Sequence, residues 1–304
     1  MALIRTLMNR GQDDLEPALP AGLRVLYDGN LLLPASPAER PFVLANFVST
    51  LDGVVSYAIE GQSDGSTISG SDPADRFIMG LLRASADAIM VGARTVQDAG
   101  PRSLWIPEYT YPDAKSLYME WRLNLLQKPG YPLLVVVSGS GQLELQRAIF
   151  QTPGLRTLVM TTPAGRDTLI REGANKLPSL EIQTLDAKDG KLAPPAMLQL
   201  LYAQYGVRRL LHEGGPALFG QFMAAQVVDE LFLTLSPQVA GRASDTIRPA
   251  FVQGTEFTPQ SAPWFQILSV KQSADHLYLH YGRAGGQLSS GRSSPDGSTQ
   301  GSQT

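Results

Sequence analysis

Short apolar runs closed by glycines or small polar residues, with room for a helix between them, constrain this chain more than any other feature. They fall at 87–91, 133–137, 156–161, 180–184 and 208–212, with an earlier run at 42–48. Four to eight continuously apolar residues bounded by turn formers read as strands buried on both faces, and such strands belong to a parallel sheet covered by helices on either side. Between the first two runs, 73–83 has helical spacing. Phe77, Ile78, Leu81 and Leu82 lie on one side, and Ser71 or Asp72 is placed to cap the start. Further helices are expected over 143–150, 195–205 and 216–225. The end of the chain differs: 228–235, 264–273 and 276–281 read as strands, with a turn at Ser273, Ala274 and Asp275. The expected fold is therefore α/β: a mostly parallel twisted sheet, helices on both faces and an antiparallel C-terminal edge.

Pro17, Pro20, Pro34, Pro37 and Pro41 interrupt any long element near the start, so residues 1–40 read as an N-terminal extension. Within it, 22–33 has the makings of one short strand or turn. Residues 41–283 carry the domain, and 284–304, rich in glycine and serine without an apolar pattern, are expected to be disordered. The net charge of -3 and the lack of any Lys/Arg run argue against a nucleic-acid partner. The absence of cysteine excludes disulfides, thiolate metal sites and a thiol nucleophile. His212, His276 and His280 have no carboxylate partners at metal-ligand spacing, so no metal is expected. No apolar run reaches the ~20 residues of a membrane span and no leader pattern opens the chain, so the expected location is the cytoplasm.

In open α/β sheets, ligands bind beyond the carboxyl ends of the strands. Four turns fall there. The first is Ser49-Thr50-Leu51-Asp52-Gly53, and the second is Gly92-Ala93-Arg94-Thr95. The third is Ser138-Gly139-Ser140-Gly141, and the fourth is Glu213-Gly214-Gly215 followed by Pro216. In the fourth, glycines permit close backbone approach, proline suits the first helical turn, and the helix N-terminus offers free N–H groups to an anion. Each turn also has a plain reading: Asp-Gly is a common turn pair, Thr95 a helix cap, Arg94 a solvated charge and Glu213 an exposed carboxylate facing a helix dipole. Their shared rim favours a nucleotide-using site. No G-x-G-x-x-G follows the first strand and no P-loop is present.

Three segments carry a resemblance: Ala45 to Gly53, Leu82 to Val96, and His212 to Gly215. Val228-Asp229-Glu230-Leu231, Ser236-Pro237 and Gly241 complete it in the same order. Over roughly 41–282 the chain resembles the reductase domain of bacterial and archaeal riboflavin biosynthesis, a relative of dihydrofolate reductase. The resemblance implies a dihydrofolate reductase-like fold and a homodimer, expected to form along the C-terminal strands. It also implies NADPH-dependent reduction of the ribosyl group of a (di)aminopyrimidine ribosylamino 5′-phosphate to ribityl. On that basis Gly92, Arg94, Thr95, Gly214 and Gly215 cradle the cofactor's pyrophosphate, and Ser138 and Gly139 lie toward its 2′-phosphate. Asp52 and Glu213 are the candidate proton donors. Asn46, Ser49, Ser66, Thr67, Ser69, Asp98 and Arg102 are candidate substrate contacts. The chain departs from the family pattern after Thr95. Ala99 occupies an acidic slot, Asp98 is shifted by one, Arg102 arrives early, and 103–131 reads as an insertion over the pocket. The zinc deaminase half found fused in many relatives needs cysteines and is absent. The alternatives are a reductase of this fold with another substrate, or a non-catalytic nucleotide-binding relative.

Overall fold

Along Phe42–Ser49, alternate side chains enter two different cores. Phe42 and Leu44 join one cluster, Val43 and Ala45 the other, and all four are buried. The same alternation runs through Ile89 and Val91 against Ala88 and Met90, and through Leu134 and Val136 against Leu133 and Val135. A strand apolar on both faces needs a helical layer on each side. The computed structural model describes residues 3–10, 19–31, 34–59, 64–246 and 248–284; the tail expected to be disordered lies, from residue 285 on, outside them.

The strands are β1 Arg5–Asn9, β2 Phe42–Ser49, β3 Ala88–Gly92, β4 Leu133–Val137, β5 Thr157–Thr161, β6 Leu180–Thr184, β7 Ala187–Lys188, β8 Lys191–Leu192, β9 Arg209–His212, β10 Glu230–Leu235, β11 Phe265–Ser273 and β12 His276–Arg283. Ten form one sheet in the order β1-β11-β12-β10-β2-β9-β3-β4-β5-β6, while β7 and β8 make a separate small hairpin. Pairing is parallel from β10 through β2 to β6 and antiparallel among β10, β12, β11 and β1. The helices are α1 Ala21–Tyr27, α2 Asp64–Ile68, α3 Pro73–Ser85, α4 Ala93–Asp98, α5 Pro107–Thr110, α6 Lys115–Glu120, α7 Ala148–Gln151, α8 Pro163–Arg171, α9 Pro194–Tyr205 and α10 Pro216–Ala224. One face of the sheet carries α1, α3 and the 103–131 segment, whose Tyr118 and Trp121 are fully buried; the other carries α9 and α10.

Helix α3 starts as its sequence demands: Pro73 takes the first position and the Asp72 carboxylate accepts the Asp75 N–H at 2.8 Å. It ends against Arg122, which is buried and donates to the carbonyls of Ala84 and Ala86. From the end of β2 the chain leaves toward the α3 face; from the end of β9, its neighbour, it leaves through α10 on the opposite face. Two adjacent parallel strands whose exits diverge open a crevice at their carboxyl ends.

Three expectations change. The helix expected over 143–150 is a single turn, 148–151, because Arg147 is extended and its guanidinium is held by the carbonyls of Ala99 and Gln97. Of the stretch 22–33, residues 22–27 belong to helix α1, with Leu23 and Tyr27 in the main core, while 32–33 lie outside the described residues; the N-terminal strand lies earlier, at β1. The apolar strands β10 and β12 are not edges: β12 and β2 flank β10, β11 and β10 flank β12, and β1 covers the outer side of β11.

Candidate active site

The crevice is a cavity of about 1150 Å³, larger than a single small ligand needs. Its bottom is the carboxyl ends of the parallel strands: Asn46 to Val48 in the last half of β2, Gly92 closing β3, Val137 closing β4 with Gly139 beyond it, and Glu213 just after β9. One wall is the α10 start with Gly214 and Gly215, and another is the polar side of α3. The 103–131 segment closes the site with Leu104, Trp105, Tyr109 and Thr110.

Glu213 is positioned by its backbone, whose N–H donates to the Met90 carbonyl at 2.9 Å. Its carboxylate meets the Arg83 guanidinium in three contacts of 2.7, 3.0 and 3.2 Å. The two side chains are only 8% and 6% exposed, so this is a buried forked pair at the mouth of the glycine turn. Arg83 also reaches the carbonyls of Leu104 and Ile106, which ties the insertion to the same fork. Behind the turn, His212 is wholly buried among Phe47, Phe219 and Phe222, and burial pushes its imidazole down to about 3. It is therefore neutral, accepting the Gly214 N–H at Nδ1, and it props the turn from below.

Helix α10 has no side-chain cap at Gly215, and Ala217 and Leu218 of its first turn border the cavity. Facing it, Gly92 opens α4 with no atom within 4 Å of where a Cβ would stand, and Thr95 Oγ1 lies 3.3 Å from the corresponding point on Gly215. Two uncapped helix starts and an open glycine make a fitting seat for an anionic dinucleotide bridge. Arg94 stands beside it, held by the Asp98 carboxylate at 2.8 and 2.9 Å. At the far end Gly139 packs so closely on Gly190 of the β7–β8 hairpin that a Cβ would meet the Gly190 carbonyl at 2.3 Å, and Lys191 of that hairpin borders the cavity.

Of the residues singled out from the sequence, the cavity brings together Asn46, Ser66, Ser69, Gly92, Arg94, Thr95, Asp98, Gly139, Glu213, Gly214 and Gly215. Ser49, Asp52, Thr67, Arg102 and Ser138 do not border it. Ser49 is buried, with its carbonyl accepting from Ser236; Ser138 turns its hydroxyl to the Gly141 N–H; Arg102 is exposed. Asp52 has a different occupation from the one expected. Its carboxylate accepts the Thr50 hydroxyl and the N–H groups of Ala240 and Gly241, which hold it well below the usual carboxylate range. A carboxyl so committed to accepting pins the 50–53 turn to the 240–241 loop and has no proton to give near neutrality. The sequence reading missed Asp75, Arg76, Met79 and Arg83 on α3, and Gly190 and Lys191 on the hairpin. The signal for the helix was present: Asp75, Met79 and Arg83 stand at i, i+4 and i+8, opposite the apolar stripe.

The fold and the cavity define a class, that of α/β proteins holding a nucleotide at the carboxyl ends of parallel strands. Within it, the family model described as the RibD C-terminal domain matches residues 41–272, and the chain belongs to that family. It is 31% identical over 209 residues to the 2,5-diamino-6-ribosylamino-4(3H)-pyrimidinone 5′-phosphate reductase of Archaeoglobus fulgidus, covering 68% of this chain and 86% of the relative. A protein of the same name from Schizosaccharomyces pombe is 24% identical, covering 69% and 79%. Among solved structures, a pyrimidine reductase-like protein from Corynebacterium diphtheriae aligns with a TM-score of 0.59 and 19% identity over 80% of this chain and 92% of that one. Acinetobacter baumannii RibD aligns at 0.57 and 21%, and there the match spans 81% of this chain and 59% of the longer RibD chain. These alignments support the fold. Among the described residues no helix is long and apolar enough to cross a membrane, and no cluster of three metal-ligating side chains occurs.

Proposed function

We propose that this protein reduces the ribosyl group of an aminopyrimidine ribosylamino 5′-phosphate to ribityl, with NADPH as reductant, in the cytoplasm. The observation that carries the reading is the convergence of Gly92, Arg94 and Thr95, the Gly214–Gly215 turn and the Arg83–Glu213 fork on one cavity. The named activity of the Archaeoglobus and Schizosaccharomyces relatives supports it. The uncapped start of α10, with the Gly92 turn across from it, suits the pyrophosphate. Lys191, beside Gly139, suits an additional phosphate on the adenosine and favours NADPH over NADH.

When bound, NADPH supplies a hydride to C1′ of the opened sugar; one proton completes the addition, so the sum is one hydride and one proton. The protein holds the acceptor against the cofactor and excludes water with the 103–131 wall. Glu213, fixed by Arg83, keeps a negative group in place beside the turn without reorganising during the reaction. Asp52 acts as a positioning residue for the loop behind the site.

NADPH oxidation, followed in the presence of the aminopyrimidine ribosylamino phosphate, tests this directly. Turnover is expected in wild type, with Glu213→Gln lowering kcat by about 10²-fold or more. Absence of turnover with both compounds bound overturns the reading. A homodimer is part of the proposal; β10 and β12 have both edges paired within the sheet, so an interface along them would use their faces, and sedimentation at working concentration reads it.

A further inference from the structure

His212 closes β9 in the interior of the sheet, paired in register with Ala45 on β2 and Met90 on β3. Packing alone does not call for a histidine there. The ring centroids of Phe222, Phe219 and Phe47 lie 4.7, 5.4 and 6.5 Å from its own, and among the described residues its buried Nε2 makes no hydrogen bond. A buried polar atom without a partner costs stability that an apolar side chain of similar bulk would not. The imidazole is therefore explained by its other nitrogen.

Nδ1 accepts the Gly214 N–H at 3.3 Å, two residues further along the chain. An Asn or Asp side chain fixes a turn by the same i to i+2 bond. The two glycines after Glu213 have the most backbone freedom to lose on being ordered. Neither is selected by a left-handed backbone, since Gly215 has φ −66° and Gly214 also lies outside the positive region. Close approach selects them. A Cβ on Gly214 would stand 3.0 Å from His212 Cε1 and 2.9 Å from Leu218 Cδ2. Before the turn the Glu213 N–H is held by the Met90 carbonyl, and after it the Phe219 N–H is held by the Gly215 carbonyl. Between those two bonds the imidazole fixes the Gly214 N–H, and Gly214 is buried, so solvent is a poor substitute.

A fixed 213–214 peptide decides what the rest of the turn presents. The first N–H groups of a helix have no intrahelical partner; here they belong to Gly215, Ala217 and Leu218, and all three residues border the cavity. Phe47, whose ring lies at 25° to the imidazole, borders the same cavity, so one buried ring backs both the glycine turn and the floor beside it. Burial keeps the imidazole neutral. With Nδ1 accepting, its single proton sits on Nε2.

We propose that His212 is a positioning residue for the cofactor: its Nδ1 fixes the Gly214 N–H and so holds the Gly214–Gly215 turn, before any ligand arrives, in the shape that takes a dinucleotide's pyrophosphate. This rests on the dinucleotide seat of the reductase reading above. Two variants of the full chain separate the acceptor from the bulk. In His212→Asn, Oδ1 stands in for Nδ1 and the rest of the ring becomes a void; in His212→Leu, the bulk stays and the acceptor goes. Calorimetric titration with NADP⁺ is expected to place the Asn variant within about threefold of wild type and the Leu variant about tenfold weaker or more, the value of one hydrogen bond. Urea unfolding is expected to rank them the other way, with Leu the more stable of the two. Affinities that follow the order of stability, or a Leu variant that binds as wild type does, overturn the inference. Wild type alone supplies a second reading. Long-range proton–nitrogen NMR correlations should show the His212 proton on Nε2 and a bare Nδ1, with slow exchange of the Gly214 amide; a proton on Nδ1 overturns the inference whether or not a variant folds. NADPH oxidation is read separately. The expected order of affinities without turnover overturns the reductase reading and leaves His212 its role. Turnover with Leu binding as tightly as Asn does the reverse, and failure of wild type to bind NADP⁺ overturns both.

Discussion

Replacing Arg83 with methionine removes a guanidinium from a pair in which both side chains are less than a tenth exposed. Methionine keeps the bulk of the stem, so the change is chiefly electrostatic. Three N–H···O contacts to Glu213 disappear, and the carbonyls of Leu104 and Ile106 lose a donor. Leaving one partner of a buried pair alone costs about 3–5 kcal/mol, because a charge stays in a poorly solvated site. Removing both charges, as in Arg83→Met with Glu213→Leu, forfeits the attraction and the desolvation cost together and is expected to fall well short of the two single costs added. The coupling should therefore reach about 2 kcal/mol or more. Urea unfolding with a shared m-value measures all four proteins. If Arg83→Met costs under about 1 kcal/mol, or if the costs add, the fork is not the buried determinant described here.

Asp75→Asn is expected to stabilise the protein at neutral pH. The folded carboxyl titrates near 6 against an ordinary 3.8, so its native-state advantage is full below about 3.8 and is lost as pH rises through 6; the gain, on the order of 2–3 kcal/mol, should vanish in acid melts. His212 has the opposite sign: its folded value lies near 3 against 6.5, so stability is full above 6.5 and falls as pH drops toward 3. Its ring resonances should show no titration between pH 5 and 8. Asp52→Asn should lower the melting temperature and raise KM while sparing kcat from the 10²–10⁴-fold loss of a missing acid; a loss of that size with normal KM would return Asp52 to the chemistry. Gly92→Val places a side chain in open cavity space, so NADPH affinity should fall while the urea midpoint stays put.

The parallel strands were legible because a stretch buried on both faces leaves an unbroken apolar signature, as 133–137 does. Helix α3 was legible through its stripe and its Asp72-Pro73 start. Strand β1 was not: Arg5–Asn9 alternates weakly, and only pairing with β11 makes it a strand. Helix α8 carried a signal that went unused, Thr162 capping ahead of Pro163. In the site, the glycine turns announced themselves by composition. Asp75 did not, because an acid three residues past a cap looks like helix-dipole chemistry until burial and the cavity are known. Asp52 misled for the converse reason, since the loop that occupies its oxygens, 240–241, is remote in sequence.

Strand β1 also sets an order of events during synthesis. Residues 5–9 are made long before 269–272, the segment they pair with in the sheet. Until that segment appears, β1 waits without its mate in the sheet, and its docking beside β11 comes late in assembly. A protein arrested short of β11 would therefore leave residues 5–9 unpaired, and limited proteolysis of stalled nascent chains should cut there first.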